Sequence, residues 1–193
     1  MKNAEPVSED RDGFRFRGGH VALDLTATLG GRFKETKRDL LATPADLDRW
    51  LVSAGLAGRA PRSSDDDARL ARDLREAIYN MASGSASSAA RGALNAAAAM
   101  PAAKPRLTSS GRLERDGSSA ELLATIAREA VELLGGPEAK RIRQCEGDGC
   151  AILFLDLSRS GERRWCSMAG CGNRAKARAF RNRRNENGAA GED

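Results

Sequence analysis

Four cysteines in the last quarter of the chain restrict its fold more than any other feature. They are the only cysteines among 193 residues and form two C-x4-C pairs with fifteen residues between them: Cys145, Cys150, Cys166 and Cys171. Each pair can supply two thiolates from one tight turn, as tetrahedral Zn²⁺ requires. Because four thiolates leave no open coordination position, we expect one structural zinc per chain rather than a catalytic metal.

Disulfides or a redox switch are the main alternatives to zinc, followed by an iron–sulfur cluster or free thiols. Residues 1–13 are polar and charged and lack the apolar segment of a signal peptide. No stretch approaches the ~18 consecutive apolar residues of a membrane span. The sequence therefore predicts a cytoplasmic protein without a membrane partner, and a reducing cytoplasm favours metal binding by clustered cysteines.

A cluster of cations follows the last cysteine. Six lysines and arginines occur from Arg174 to Arg184, with no acidic residue before Glu186. On a helix, Arg174, Arg178 and Arg181 share one face. This pattern is typical of nucleic-acid binding, with a solvated face or a dock for an acidic partner as alternatives. The residues that we predict to contact DNA are Arg174, Lys176, Arg178, Arg181, Arg163 and Arg164.

The rest of the chain has the composition of a mainly helical body. Hydrophobic residues make up 40% of the chain but aromatics only 4%, so Ala and Leu supply most of the apolar mass. From Lys140 to Arg184, twelve lysines and arginines stand against four acidic residues, although the net charge of the whole chain is only +5. The basic charge is therefore concentrated around the cysteines, and the body is mildly acidic.

Capping residues and apolar spacing predict four helices in this body. Their expected ranges are 43–56, 64–84, 85–100 and 118–134. A short hairpin is expected between Arg106 and Gly117. The apolar segment from Val21 to Leu29 fits either a strand or a helix, and both are kept open.

The region around the cysteines predicts a knuckle, a hairpin, a second knuckle and a helix, similar to a treble clef or zinc ribbon. Residues 151–157 have β character, and residues 163–166 are expected to form the returning strand. Asn173 is expected to cap the basic helix rather than to read an adenine edge. Ala177 and Phe180 are expected to dock that helix against the zinc module.

The string from Arg163 to Arg178, with Cys145 and Cys150 upstream, resembles the CGNR-type zinc finger. The family name comes from a tetrapeptide that stands here as Cys171-Gly172-Asn173-Arg174. Members usually carry an N-terminal ABATE domain, associated with stress-related bacterial transcription regulation. Its early motif resembles Val21 to Thr28, with Ala27 where the family usually has Asn. The resemblance implies a mainly α N-terminal domain and DNA binding.

These features together predict a mainly α fold, with a helical N-terminal domain followed by a small four-cysteine zinc module. The expected division is a disordered leader (1–12), an ABATE-like domain (13–138), a CGNR-type zinc finger (139–184) and a disordered tail (185–193). We expect a zinc-binding bacterial transcription regulator that contacts DNA through its basic helix. The alternatives are a protein-interaction or RNA-binding module with a structural zinc, and a ligand-binding or catalytic body with an attached zinc finger.

Asp24, inside an apolar run, is the one candidate ligand-binding residue of the body. A cap or a buried partner for an arginine is the alternative role. His20 is the only histidine, so no catalytic Ser-His-Asp or Cys-His arrangement has spare members, and we expect no enzyme. The sequence leaves open whether the body binds a small-molecule effector and whether the chain forms a homodimer.

Overall fold

The computed structural model describes residues 9–189, with side chains through Arg184. Within that range the chain folds into six α-helices and four two-stranded antiparallel hairpins. The helices are α1 (Val21–Thr26), α2 (Pro44–Ser53), α3 (Asp65–Ala82), α4 (Ser88–Ala99), α5 (Ser119–Gly135) and α6 (Asn173–Ala189). The hairpins pair β1 (Asp10–Arg11) with β2 (Phe14–Arg15), β3 (Leu29–Gly30) with β4 (Arg38–Asp39), β5 (Lys104–Leu107) with β6 (Leu113–Asp116), and β7 (Ile142–Gln144) with β8 (Leu153–Leu155). The predicted mainly α fold is confirmed.

Side-chain caps fix the starts of the main body helices. Thr43, Ser64 and Ser118 each accept a hydrogen bond from the backbone N–H three residues later, and an acidic residue at that position binds back to the cap. These reciprocal capping boxes satisfy backbone donors that a helix start otherwise leaves free. Helices α2 to α5 and the β5–β6 hairpin agree with the predicted elements, and their ends differ from the predicted ends by a few residues.

The segment whose secondary structure the sequence left open begins as a helix. Helix α1 starts after His20, whose ring accepts a hydrogen bond from the N–H of Ala22. Residues 22–26 are all buried. A helix that is buried on every side needs no polar stripe, so its apolar residues show no clear period.

The main core lies where α1 to α5 meet. Its largest fully buried side chains include Trp50, Leu51, Ile78 and Leu122. The buried Arg75 of α3 donates two hydrogen bonds to Asp39, at 2.6 and 2.9 Å. This bidentate ion pair holds the β3–β4 hairpin against α3.

Strand β8 joins the helical body to the cysteine region. The predicted pairing of residues 151–157 with residues 163–166 is wrong, because β8 pairs with β7 instead. Successive side chains of a strand point to opposite faces. Leu153 and Leu155 pack with Leu23 and Leu133 of the body, whereas Phe154 packs with the cysteines. One strand therefore contributes to two hydrophobic clusters.

The structure describes part of each end of the expected domain division, and the division itself stays a prediction. The predicted leader covers residues 1–12, of which residues 1–8 lie outside the described range, while Asp10–Arg11 already forms strand β1. At the other end, α6 runs through Ala189, inside the expected tail, and residues 190–193 again lie outside the described range. Across residues 9–189, none of the helices combines the length and the apolar character that a membrane span needs.

Candidate metal centre and nucleic-acid interface

The four cysteine sulfurs form one compact cluster. All four Sγ atoms lie within 4.8 Å of one another. The Sγ atoms of Cys150 and Cys166 are 3.9 Å apart, and those of Cys166 and Cys171 are 3.8 Å apart. A tetrahedron of thiolates around Zn²⁺ predicts sulfur separations of about 3.8 Å, whereas a disulfide requires about 2.05 Å. The cysteines are free, and their geometry fits a four-thiolate zinc site.

Backbone amides support the first thiolate of this zinc site. The N–H groups of Gly147 and Cys166 donate to the Sγ of Cys145, at 3.4 and 3.3 Å. A Cβ atom at Gly147 would lie 2.7 Å from the Sγ of Cys171, so only glycine lets the knuckle approach the metal this closely. Such donors offset part of the negative charge of four thiolates around one Zn²⁺.

Crowding of the sulfurs controls their protonation before the metal binds. A hydrogen bond from the Cys150 thiol lowers the pKa of Cys145, and the same bond raises the pKa of Cys150 to about 11. The neighbouring sulfurs also raise the pKa of Cys166. Zinc has to displace the retained protons when it binds, because only thiolates are ligands.

Two arginines lie next to the cysteines, one close to them in sequence and the other near the N-terminus. Arg174 donates from Nη2 to the Sγ of Cys171 at 3.1 Å. Arg17 is only 16% exposed, and its Nη1 lies 3.1 Å from the point that a Cβ of Gly170 would occupy. Burial acts to lower the pKa of Arg17. The charges and hydrogen bonds of Asp10 and Cys166 outweigh that effect, so the pKa of Arg17 is raised overall. Sequence reasoning missed Arg17, because no local pattern links it to cysteines more than a hundred residues away.

The two arginines before the second cysteine pair have different surroundings. Arg163 donates from Nε to the carbonyl of Trp165 at 2.9 Å and from Nη2 to that of Cys166, and it stacks over Phe154. Its guanidinium therefore holds the second knuckle, and DNA contact by Arg163 stays a prediction. Arg164 is exposed, stacks over Trp165 and pairs with Glu146 at 2.6 Å. Of the two, Arg164 is exposed and Arg163 is half-buried.

The start of α6 is built differently from the prediction. Ser167 accepts a hydrogen bond from the N–H of Gly170 and begins a wide turn at Met168–Gly172, which leads into the helix. Asn173 has helical backbone angles, and its side chain donates to the carbonyl of Ala169 at 3.5 Å. The prediction that Asn173 caps the helix is therefore wrong, since the cap lies six residues earlier.

Helix α6 extends from the zinc site with its side chains in solvent. Every side chain from Lys176 to Arg184 is exposed. The expected docking of Ala177 and Phe180 is wrong, as Phe180 is 56% exposed. At 1.5 Å per residue, the seventeen residues of α6 reach about 25 Å.

The predicted arginine face of α6 is partly occupied by contacts within the protein. Arg174 binds the Sγ of Cys171, and Arg178 pairs with Asp148 at 3.0 Å. Lys176, Arg181, Arg183 and Arg184 form no ion pair with any described residue. The cations that are free to meet a partner are therefore spread around the helix rather than along one stripe.

Asp24 acts as a buried clamp on the backbone. Its Oδ1 accepts a hydrogen bond from the N–H of Gly18 at 2.7 Å, and the carbonyl of Gly18 accepts the N–H of Leu155. Burial raises the pKa of Asp24 to about 7, against the lowering effects of the Gly18 N–H and the charge of Arg11. This geometry supports the structural role of Asp24, and ligand binding by Asp24 stays a prediction.

Comparisons with known proteins agree with this architecture. The ABATE family model, described as "putative stress-induced transcription regulator", matches residues 19–137. The CGNR zinc finger model matches residues 141–184 and includes all four cysteines. No curated protein matches the chain. Because the first model covers more than half of the sequence and the second covers the metal site, this chain belongs to the ABATE family and carries a CGNR zinc finger that binds zinc.

Proposed function

We propose that this protein regulates transcription by binding duplex DNA through helix α6, with the zinc site fixing the base of the helix. The observation that carries this proposal is the exposure of α6 from Lys176 to Arg184, together with four cations that have no described acidic partner. Like charges held close together repel each other, and phosphate groups relieve that repulsion while releasing counterions.

The dimensions and chemistry of α6 suit the major groove. An α-helix with its side chains is about 10–12 Å across, and the major groove is about 12 Å wide. Lys176, Phe180 and Arg183 share one face at 3.6 residues per turn. On this face the ring of Phe180 lies between two cations. The cations can contact phosphates, and the ring can contact a thymine methyl group.

The paired arginines have a supporting role in this proposal. Arg174 donates to the Sγ of Cys171 at the base of α6, and Arg178 pairs with the exposed Asp148, so both side chains are directed toward the zinc module. Arg181, one turn further on, is then the first cation of the predicted face that is free for phosphate.

The family assignment supports a regulatory role for the body. Strand β8 connects that body to the zinc site, so a change in the body has a direct structural route to α6. Binding of a small-molecule effector and formation of a homodimer stay predictions.

Charge-matched variants test the proposal. Lys176→Ala combined with Arg181→Ala should weaken duplex binding about tenfold or more, because each charged contact is worth roughly 1.5–3 kcal/mol. The control combines Arg91→Ala with Arg112→Ala, two exposed arginines of the body without a described ion pair. Fluorescence anisotropy with labelled duplexes, after zinc content has been matched, measures the difference.

Three results would contradict the DNA proposal. Equal affinity of the α6 variant and its control would mean that the helix does not contact DNA. The absence of duplex binding at physiological salt would favour the protein-interaction alternative, and tighter binding of structured RNA than of duplex DNA would favour the RNA-binding alternative.

A further inference from the structure

A basic cleft of about 590 Å³ lies between the N-terminal hairpins and the zinc module. The β1–β2 hairpin contributes Arg15, the β3–β4 hairpin contributes Lys34 and Arg38, and the zinc module contributes Gly149 and Arg174. A cavity of this size falls within the usual range for small-molecule sites, about 300–1,000 Å³. Its walls come from both parts of the chain, so it exists only when the body and the zinc module are packed together.

Three of the five cations that line the cleft have no acidic partner among the described residues. Arg15, Lys34 and Arg38 are exposed and form no ion pair with any described residue. The two acidic residues that line the cleft are already engaged, since Asp10 pairs with Arg17 at 2.7 Å and Asp148 pairs with Arg178 at 3.0 Å. The thiolates that line the cleft face Arg174 at Cys171 and Arg17 at Cys166. The positive charge that remains for an anion therefore comes from Arg15, Lys34 and Arg38.

The surrounding structure accounts for the positions of Lys34 and Arg38. The Cε atom of Lys34 lies 3.3 Å from the point that a Cβ of Gly149 would occupy, so this side chain reaches over the first zinc knuckle. Arg38 neighbours Asp39, which Arg75 anchors with two hydrogen bonds. Because neighbouring residues of a strand point to opposite faces, the Asp39–Arg75 pair on one side leaves Arg38 directed to the other. The backbone thus brings Lys34 and Arg38 to the same cleft.

We infer that this cleft is a phosphate-binding site, formed jointly by the body and the zinc module and separate from the exposed part of α6. The half-buried Gly30 and Gly31 and the exposed Gly149 line the cleft without side chains, which leaves room for an anion, and arginine side chains match phosphate geometry. The phosphate belongs either to a nucleic-acid backbone that continues from α6 or to a free phosphorylated small molecule. The first source rests on the proposed function of α6, whereas the second does not.

The test compares two charge-matched double variants of the full-length, zinc-loaded protein. Arg15→Ala with Arg38→Ala removes two cations of the cleft, and Arg91→Ala with Arg112→Ala removes two from elsewhere on the body. Isothermal titration with inorganic pyrophosphate and anisotropy with a labelled duplex measure the two sources separately. Circular dichroism and zinc content, determined before and after titration, confirm that every sample is folded and metal-loaded.

Loss of about tenfold or more in pyrophosphate affinity for the cleft variant alone, with duplex affinity kept, identifies a free phosphorylated ligand. A loss in duplex affinity for the cleft variant alone, with or without loss for pyrophosphate, identifies a nucleic-acid backbone. If wild-type protein binds pyrophosphate through the cleft but does not bind the duplex, the phosphate site stands and the proposed function of α6 fails. If the cleft variant matches its control with both probes, the inference is overturned.

Discussion

At the scale of single residues, the arginines near zinc divide into those that serve the metal site and those that face solvent. Arg174 binds a cysteine sulfur, Arg163 binds backbone carbonyls of the second knuckle, and Arg181 has no described acidic partner. Their sequence context is similar, with each in a basic stretch beside a cysteine motif. Only the three-dimensional arrangement separates their roles, because it places acceptors near some side chains and none near others.

Arg174→Ala should lower zinc affinity by about tenfold or more, since it removes a donor to the Sγ of Cys171 and contacts of this kind typically change metal affinity 10- to 100-fold. Arg178→Ala is the matched control, because Arg178 lies one turn further along α6 and pairs with Asp148 instead. Competition with a chelator of known affinity measures both variants. Zinc retention by Arg174→Ala equal to that of Arg178→Ala would contradict the assigned contact.

The buried carboxyl of Asp24 predicts a specific pH dependence. Its pKa is about 7 in the folded protein and about 3.9 in an unfolded chain. Between these values the folded state holds a proton that the unfolded state has lost, so this group makes the protein less stable as pH rises from about 4 to 7. Asp24→Asn keeps an oxygen that can accept the Gly18 N–H and removes the titration.

The stability of Asp24→Asn relative to wild type should therefore increase between about pH 4 and pH 7 and level off above that range. Melting temperatures of both proteins across that range provide the measurement, and taking their difference cancels the titration of groups common to both. If the stability difference stays constant from pH 4 to pH 7, Asp24 is already ionised in the folded protein throughout that range, which contradicts the prediction.

At the scale of elements, β8 is the structural link between the helical body and the zinc site. The run Ile152 to Leu155 is apolar at every position because both of its faces are buried, one against α1 and α5 and the other against the cysteines. Its β character was predictable from the sequence. Its partner strand was not, because β7 and residues 163–166 flank it at similar distances along the chain, and tertiary packing selects between them.

Alanine substitutions on the two faces of β8 should have different effects. Leu153→Ala opens a cavity beside Leu23 and should destabilise the fold by about 2–5 kcal/mol. Phe154→Ala removes the ring that packs on the cysteines and supports Arg163, so it should weaken zinc binding as well as the fold. Leu157→Ala, at a position that is 59% exposed, is the control with little expected effect.

Denaturant unfolding and zinc competition distinguish these outcomes. The zinc affinity of each variant is corrected for the fraction of protein that is folded. Equal corrected affinities of Leu153→Ala and Phe154→Ala would mean that the two faces of β8 do not pack against different clusters.

At the scale of the whole molecule, the sequence predicted the parts better than their arrangement. The cysteine spacing predicted the metal site, and caps such as Thr43 and Ser118 predicted helix starts, because both signals are local. The position of Arg17 beside the cysteines and the cleft below Lys34 depend on segments more than a hundred residues apart. The expected docking of Phe180 failed for a related reason, since helical periodicity identifies a face but not whether anything covers it.

The salt dependence of duplex binding by the zinc-loaded protein tests the central claim most directly. Four free cations of α6 predict that log K falls against log salt with a slope of about −3.6, and Arg181→Ala should flatten the slope by about one unit while weakening binding similarly across sequences. Arg178→Ala should change the slope less, because Asp148 already neutralises that charge. A slope near zero, or an unchanged slope for Arg181→Ala, would contradict DNA binding through this helix.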